Sequence, residues 1–74
     1  MAAYTFNAVT SGPLYSLPAA TGSQARQVVK NYSAGLLTVV PSGTDTIDGN
    51  SSAVLSINEA ITFVDYAGGK WAIT

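Results

Sequence analysis

Four carboxylates, Asp45, Asp48, Glu59 and Asp65, and three cations, Arg26, Lys30 and Lys70, are all the charge in this chain of 74 residues, and neither histidine nor cysteine accompanies them. Paired acids are the one piece of catalytic chemistry such a set offers. Two carboxylates a few ångströms apart hydrolyse glycosidic bonds, one as acid and the other as base or nucleophile. That reaction needs a groove long enough for a sugar chain, and a chain this short has little room for one. Carboxylates solvated in turns, bonded to nearby backbone amides, are the simpler expectation for all four. The abundant serines have no imidazole to activate them, so a hydrolytic triad lacks its base. Asp48, Asn50, Ser52 and Glu59 stand at the first, third, fifth and twelfth places of a calcium-loop spacing, with Leu55 at the hydrophobic eighth. Ala53 occupies the sixth place, where the sharp turn of that loop needs glycine, and the flanking residues alternate as strands do. The inventory points to a protein that is not an enzyme and takes no cofactor or metal.

Charged residues make up 9% of the chain, against roughly 25% in an ordinary soluble domain. Serine, threonine, asparagine, glycine and alanine replace them, giving a wettable surface poorly defended against self-contact. A domain of this length hides only about 60% of its unfolded surface, so its core is thin. Small domains compensate with disulfides, a metal or partner subunits. Without cysteine or histidine only the last remains, and a homo-oligomer is expected. A net charge of −1 with three dispersed cations supplies no basic groove for phosphates, which argues against nucleic acid. No run approaches the length of a membrane span, and no basic segment precedes an apolar one at the N-terminus. The expectation is a soluble protein made in the cytosol, with no membrane insertion.

The elements that carry these residues are strands. Apolar and polar residues alternate with period two between clusters of Gly, Pro, Asn and Asp. Tyr4 to Thr10 puts Tyr4, Phe6 and Ala8 on one face, and Ser11-Gly12-Pro13 ends it. Pro13 to Leu17 is a second short run, closed by Pro18, and 19–23 is a loop. Gln24 to Asn31 alternates Arg26, Val28 and Lys30 against Gln27 and Val29. With Leu36 to Val40 after the turn at 31–35, it suggests a hairpin. Thr46 to Asn50 contains Asp48-Gly49, a strong turn signal. Ser51 to Ile57 follows, with Ala53, Leu55 and Ile57 on one face. Ala60 to Tyr66 then sets Ile61, Phe63 and Asp65 against Thr62, Val64 and Tyr66, and Gly68-Gly69 leads into Lys70 to Thr74. About six or seven short antiparallel strands in a single all-β domain, 1–74, are expected, arranged as a small β-sandwich or barrel. Residues 1–12 form either a first strand or an N-terminal arm able to add to a neighbouring subunit.

Phe63 and Trp71, in register with Ile61 and Ile73, are expected in the core. Tyr4, Phe6, Tyr15 and Tyr32 are the aromatic candidates for an interface with another subunit or partner. Arg26 and Lys30 share a strand face and are candidates for pairing with acidic groups of a neighbour, a solvated face being their default.

The order Leu17-Pro18-Ala19, Val28-Val29-Lys30-Asn31, Leu37-Thr38-Val39 before Pro41, Gly43-Thr44-Asp45-Thr46-Ile47-Asp48-Gly49, Leu55, Ile61-Thr62-Phe63 and Gly69-Lys70-Trp71 resembles a β-rich module that recurs in bacteriophage virion proteins, near the ends of tail fibres and tailspikes. The resemblance implies a structural virion protein, commonly trimeric and without a cofactor. Two settings follow. As a free-standing chain beginning at Met1, it would be a trimeric capsid decoration, or cement, protein on the head, partnered by the major capsid protein. As a tail fibre or tailspike tip, it would meet tail proteins and a host surface receptor. Either places it in the virion after synthesis in the host cytoplasm.

Overall fold

A computed structural model of the chain describes residues 3–74; Met1 and Ala2, the start of the expected arm, lie outside the described residues. Alternation becomes eight short strands: β1 Tyr4–Val9, β2 Leu14–Ser16, β3 Arg26–Asn31, β4 Leu37–Val40, β5 Thr46–Ile47, β6 Ala53–Leu55, β7 Ala60–Ala67 and β8 Lys70–Ile73. They form a five-stranded sheet in the order β1-β3-β7-β8-β5 and a three-stranded sheet in the order β2-β4-β6. The fold is all-β, as the periodicity requires.

Strand direction departs from the antiparallel expectation. β1 runs parallel to β3, β2 to β4 and β5 to β8, while β3–β7, β4–β6 and β7–β8 are antiparallel. The cause lies in two connections. β3 and β4 are not the arms of a hairpin, because 32–36 carries the chain from the larger sheet to the smaller one. Segment 10–13 does the same between β1 and β2. Residues 4–16 and 26–40 are therefore two similar strand-arch-strand units, stacked in parallel with Tyr4 beside Arg26 and Leu14 beside Thr38. Their arches lie together and line a shallow groove of about 390 Å³.

Asn31 turns what would be a hairpin into an arch. Its fully buried side chain sits at the end of β3. Nδ2 donates to the carbonyls of Gly35 at 2.8 Å, Leu55 at 3.1 Å and Ser56 at 3.1 Å. Oδ1 accepts from the Ser33 amide at 2.9 Å and the Ser33 hydroxyl at 2.6 Å. The local bonds to Ser33 and Gly35 shape the turn, as asparagine does when it competes for backbone groups. The bonds to Leu55 and Ser56 pin it to the other sheet.

Thr46–Ile47, expected as part of a turn, is a two-residue strand beside β8. The turn begins one residue later. Asp48 and Gly49 have φ values of 50° and 80°, the left-handed pair of a tight reversal, and Ile47 and Asn50 exchange amide bonds of 2.8 Å in both directions. The expected β7–β8 hairpin is present, with a bulge between Asp65 and Ala67 that leaves Tyr66 outside the ladder.

One face of each sheet meets the other. Val29, Ile47, Phe63 and Trp71 of the larger sheet pack against Leu37, Val39 and Leu55 of the smaller, with Leu17 and Ala20 closing the side. Phe63 and Trp71 are buried as expected and Ile61 packs partly against them. Ile73, placed in the same register by the sequence, is exposed at the strand end. Burying one such aliphatic side chain stabilises by about 1.5–3 kcal/mol, so the nine-residue cluster carries the fold with little reserve. Ile47→Val, which removes one methylene from a sealed position, is expected to lower stability by about 1 kcal/mol. A urea titration would show a lower midpoint at an unchanged slope.

Candidate assembly surface

The opposite face of the five-stranded sheet is open among the described residues. Strand pairing sets its side chains in rows: Tyr4, Arg26, Val64 and Ala72; Phe6, Val28 and Thr62; Ala8, Lys30 and Ala60. Tyr66 and Lys70 extend it toward β5. Tyr4 is 67%, Phe6 53% and Tyr66 47% exposed. Val28 is buried yet stands outside the core cluster, because it is flanked by Phe6 and Thr62 of its own sheet. All three cations lie on this face, since their strand neighbours Gln27, Val29, Asn31 and Trp71 point the other way. Lys30 Nζ donates to the Asn58 carbonyl at 2.6 Å and sits 5.4 Å from the centre of the Tyr32 ring, an exposed contact of roughly 0.5–1 kcal/mol. No carboxylate belongs to this face.

The sheet ends differently at its two sides. On β1, the Arg26 amide donates to Ala3 and the Tyr32 amide to Val9, each at 2.8 Å. A parallel ladder uses alternate residues of each strand, so Ala3, Thr5, Asn7 and Val9 bond to β3, and the amides and carbonyls of Tyr4, Phe6 and Ala8 face outward. An uncharged six-residue edge of this kind is ready to pair or pack with another chain. On β5, the Ile47–Asn50 reversal occupies the outer groups of Ile47 and closes that edge.

Each carboxylate accepts from a backbone amide. Asp45 accepts from Ala20 at 2.9 Å, Asp48 from Ile73 at 3.4 Å and Glu59 from Ser56 at 2.7 Å. Asp48 and Glu59 thus end on separate amides, and the calcium-loop spacing gathers no cluster of three acidic groups among the described residues. Asp65 corrects the expectation of solvated turn carboxylates: it is 3% exposed, inside β7. The amides of Thr21 at 2.9 Å and Gly22 at 2.6 Å and the hydroxyls of Ser23 at 3.0 Å and Thr21 at 3.3 Å all donate to it. Burial pushes its pKa up, but the bonds from Thr21, Gly22 and Ser23 outweigh burial and hold the carboxyl below its ordinary value. Gly22 has a φ of 81°, and a Cβ there would touch the backbone of Ala67 and Gly68 at 3.6–3.8 Å. Glycine lets the loop close on the carboxylate.

Of the residues singled out in the sequence, Tyr4, Phe6, Arg26 and Lys30 come together on the open face, with Tyr32 exposed just beyond the end of β3. Tyr15 does not join them. It lies on β2 in the smaller sheet, half buried against the core. Val64, Tyr66 and Lys70 belong to the face and were not foreseen there. Alternation against Phe63, Asp65 and Trp71 carries the signal for all three. The groove between the arches is lined by small, polar and apolar residues without a charge. No family model matches the chain, and no curated protein or solved structure matches it either.

Proposed function

We propose that this chain is a non-enzymatic structural protein of a bacteriophage virion that works as a homotrimer, foremost as a capsid decoration protein stabilising the head. The observation that carries the assembly role is the open face of the larger sheet, where exposed Tyr4, Phe6 and Tyr66 share the surface with three cations and where the β1 edge has no partner among the described residues. A thin core and a charge-poor surface favour burial against other copies. The particle setting rests on the resemblance to phage β-modules. In that setting the trimer bridges neighbouring major capsid subunits, and the area buried across their boundaries resists expansion, with β1 as the anchoring segment.

The exposed aromatics also favour a second setting, a tail fibre or tailspike tip in which they stack on a host surface glycan. Immunogold labelling of intact particles separates the two. Gold over the head is expected; gold confined to the tail moves the protein to the fibre. Sedimentation at micromolar concentration is expected to give a trimer. A cooperatively folded monomer under those conditions would contradict the oligomer.

A further inference from the structure

We propose that the β1 edge of the larger sheet pairs with the β1 edge of a second copy, antiparallel about a two-fold axis at Phe6, so that the two larger sheets run on as one. The pairing rests on the homo-oligomer proposed above and joins one trimer to the next.

The chemistry of the edge points to a second copy. Residues 1–25 carry no charged side chain, and β1 holds no proline and meets β3 in unbroken register. Lysine, proline and bulges are the devices that keep a long edge from pairing, and β1 has none of them. The other edges among the described residues are two or three residues long: β5, closed by the Ile47–Asn50 reversal, and β2 and β6 of the smaller sheet. A three-residue edge covers half of β1, whereas a second β1 covers all of it.

Symmetry then fixes direction and register. In a parallel ladder the bonding residues lie one position out of step across the pair, but the outward groups of two identical edges turned about an axis along the strands stand level. Antiparallel strands bond residues directly opposite each other, so the outward groups of Tyr4, Phe6 and Ala8 can meet those of the second copy. Within β1 the register centred on Phe6 uses all three. Tyr4 then lies opposite the small Ala8 of the partner subunit, and Phe6 opposite its own counterpart, each pair exchanging two amide bonds. Arg26 and Lys30 of the partner subunit fall in one row, about 14 Å apart across the ladder, beyond the Debye length of roughly 8 Å. No like charges are brought into contact. Six paired residues a side are far fewer than the roughly 20–30 of a stable complex, so the ladder is weak between single copies and gains strength where trimers present several edges together.

The chain has no cysteine, so introduced cysteines report the contact. Under mild oxidation of the purified protein, Phe6→Cys is expected to form covalent pairs about tenfold faster than Ala8→Cys, because Cα atoms about 5.5 Å apart suit a disulfide and the two Ala8 positions lie about 14 Å apart. A mixture of Tyr4→Cys and Ala8→Cys chains is expected to give mainly the mixed pair. Adding Ala8→Pro to Phe6→Cys removes an amide hydrogen that β3 does not use; coupling is expected to slow about tenfold, with circular dichroism unchanged. Equal coupling at Phe6 and Ala8, or a mixture without an excess of the mixed pair, would overturn the register. Coupling at Phe6 that survives Ala8→Pro would overturn the ladder in favour of contact between open faces. No coupling in a chain that sediments as a trimer would overturn the pairing and give the β1 edge to a strand of another protein, while the trimer stands. Coupling in a chain that sediments no larger than a pair would keep the edge contact and remove the trimer instead.

Discussion

Asn31→Asp, a change of one amide for one carboxylate oxygen, is expected to leave the protein largely unfolded at neutral pH. The Asn31 amide nitrogen faces the carbonyls of Gly35, Leu55 and Ser56 within 2.8–3.1 Å. A carboxylate in its place would be fully buried with an oxygen against three carbonyl acceptors. Stranding a charge in this way costs about 3–5 kcal/mol, comparable to the whole stability of a small domain. Burial and the surrounding carbonyls would raise the folded-state pKa of the new acid above its unfolded value. The penalty is then greatest above the folded pKa and shrinks as pH falls toward the unfolded one, so part of the structure returns on acidification. Circular dichroism between pH 4 and pH 7 reads this directly. A variant that melts with its parent at pH 7 would show that the amide does not hold the two sheets together.

Asp65→Ala is expected to cost about 2–3 kcal/mol, because it removes the buried carboxylate that accepts from the Thr21 and Gly22 amides and the Ser23 hydroxyl and leaves those partly buried donors without their partner. Asp65 also makes the protein acid-sensitive. Its carboxyl titrates below the ordinary aspartate value of 3.8 in the folded chain, so the folded state binds the proton less readily than the unfolded one. The corresponding stability is fully present above the unfolded pKa and is lost as pH falls through the folded value. Urea midpoints measured from neutral pH down to about pH 2 should decline for the parent, with a shallower slope for Asp65→Asn. Equal slopes would show that the carboxylate titrates alike in folded and unfolded chains.

Residues on either side of these two sites show what the sequence made legible. Alternation located the strands, and it put Asp65 on the same face as Ile61 and Phe63, which was sufficient to bury it; a general rule for turn carboxylates prevailed over that local pattern. Alternation says nothing about which strand lies beside which. The segment after Asn31 has the composition of a hairpin turn, and only the contacts of Asn31 with Leu55 and Ser56, far along the chain, make it an arch. The open face was half visible: Tyr4, Phe6, Arg26 and Lys30 share it because period two held in both β1 and β3 and because those strands lie side by side. Tyr15 follows the same rule in β2, but there the phase points inward, since a short strand without charged residues gives no hint of which side faces solvent.

The stacked units at the N-terminal side also set the order in which the chain becomes structured. Tyr4 has no partner until Arg26 exists, and Arg26 none on its other side until Val64 does. Among the described residues, the hairpin of β7 and β8 is the only ladder between consecutive strands in the larger sheet. Long-range pairing must wait for loop closure, so β1, which joins the sheet only through β3 and β7, waits longest for a partner. Folding is therefore expected to spread from the β7–β8 hairpin outward, with the β1–β2 unit the last leaf to settle and the first whose amides exchange with solvent.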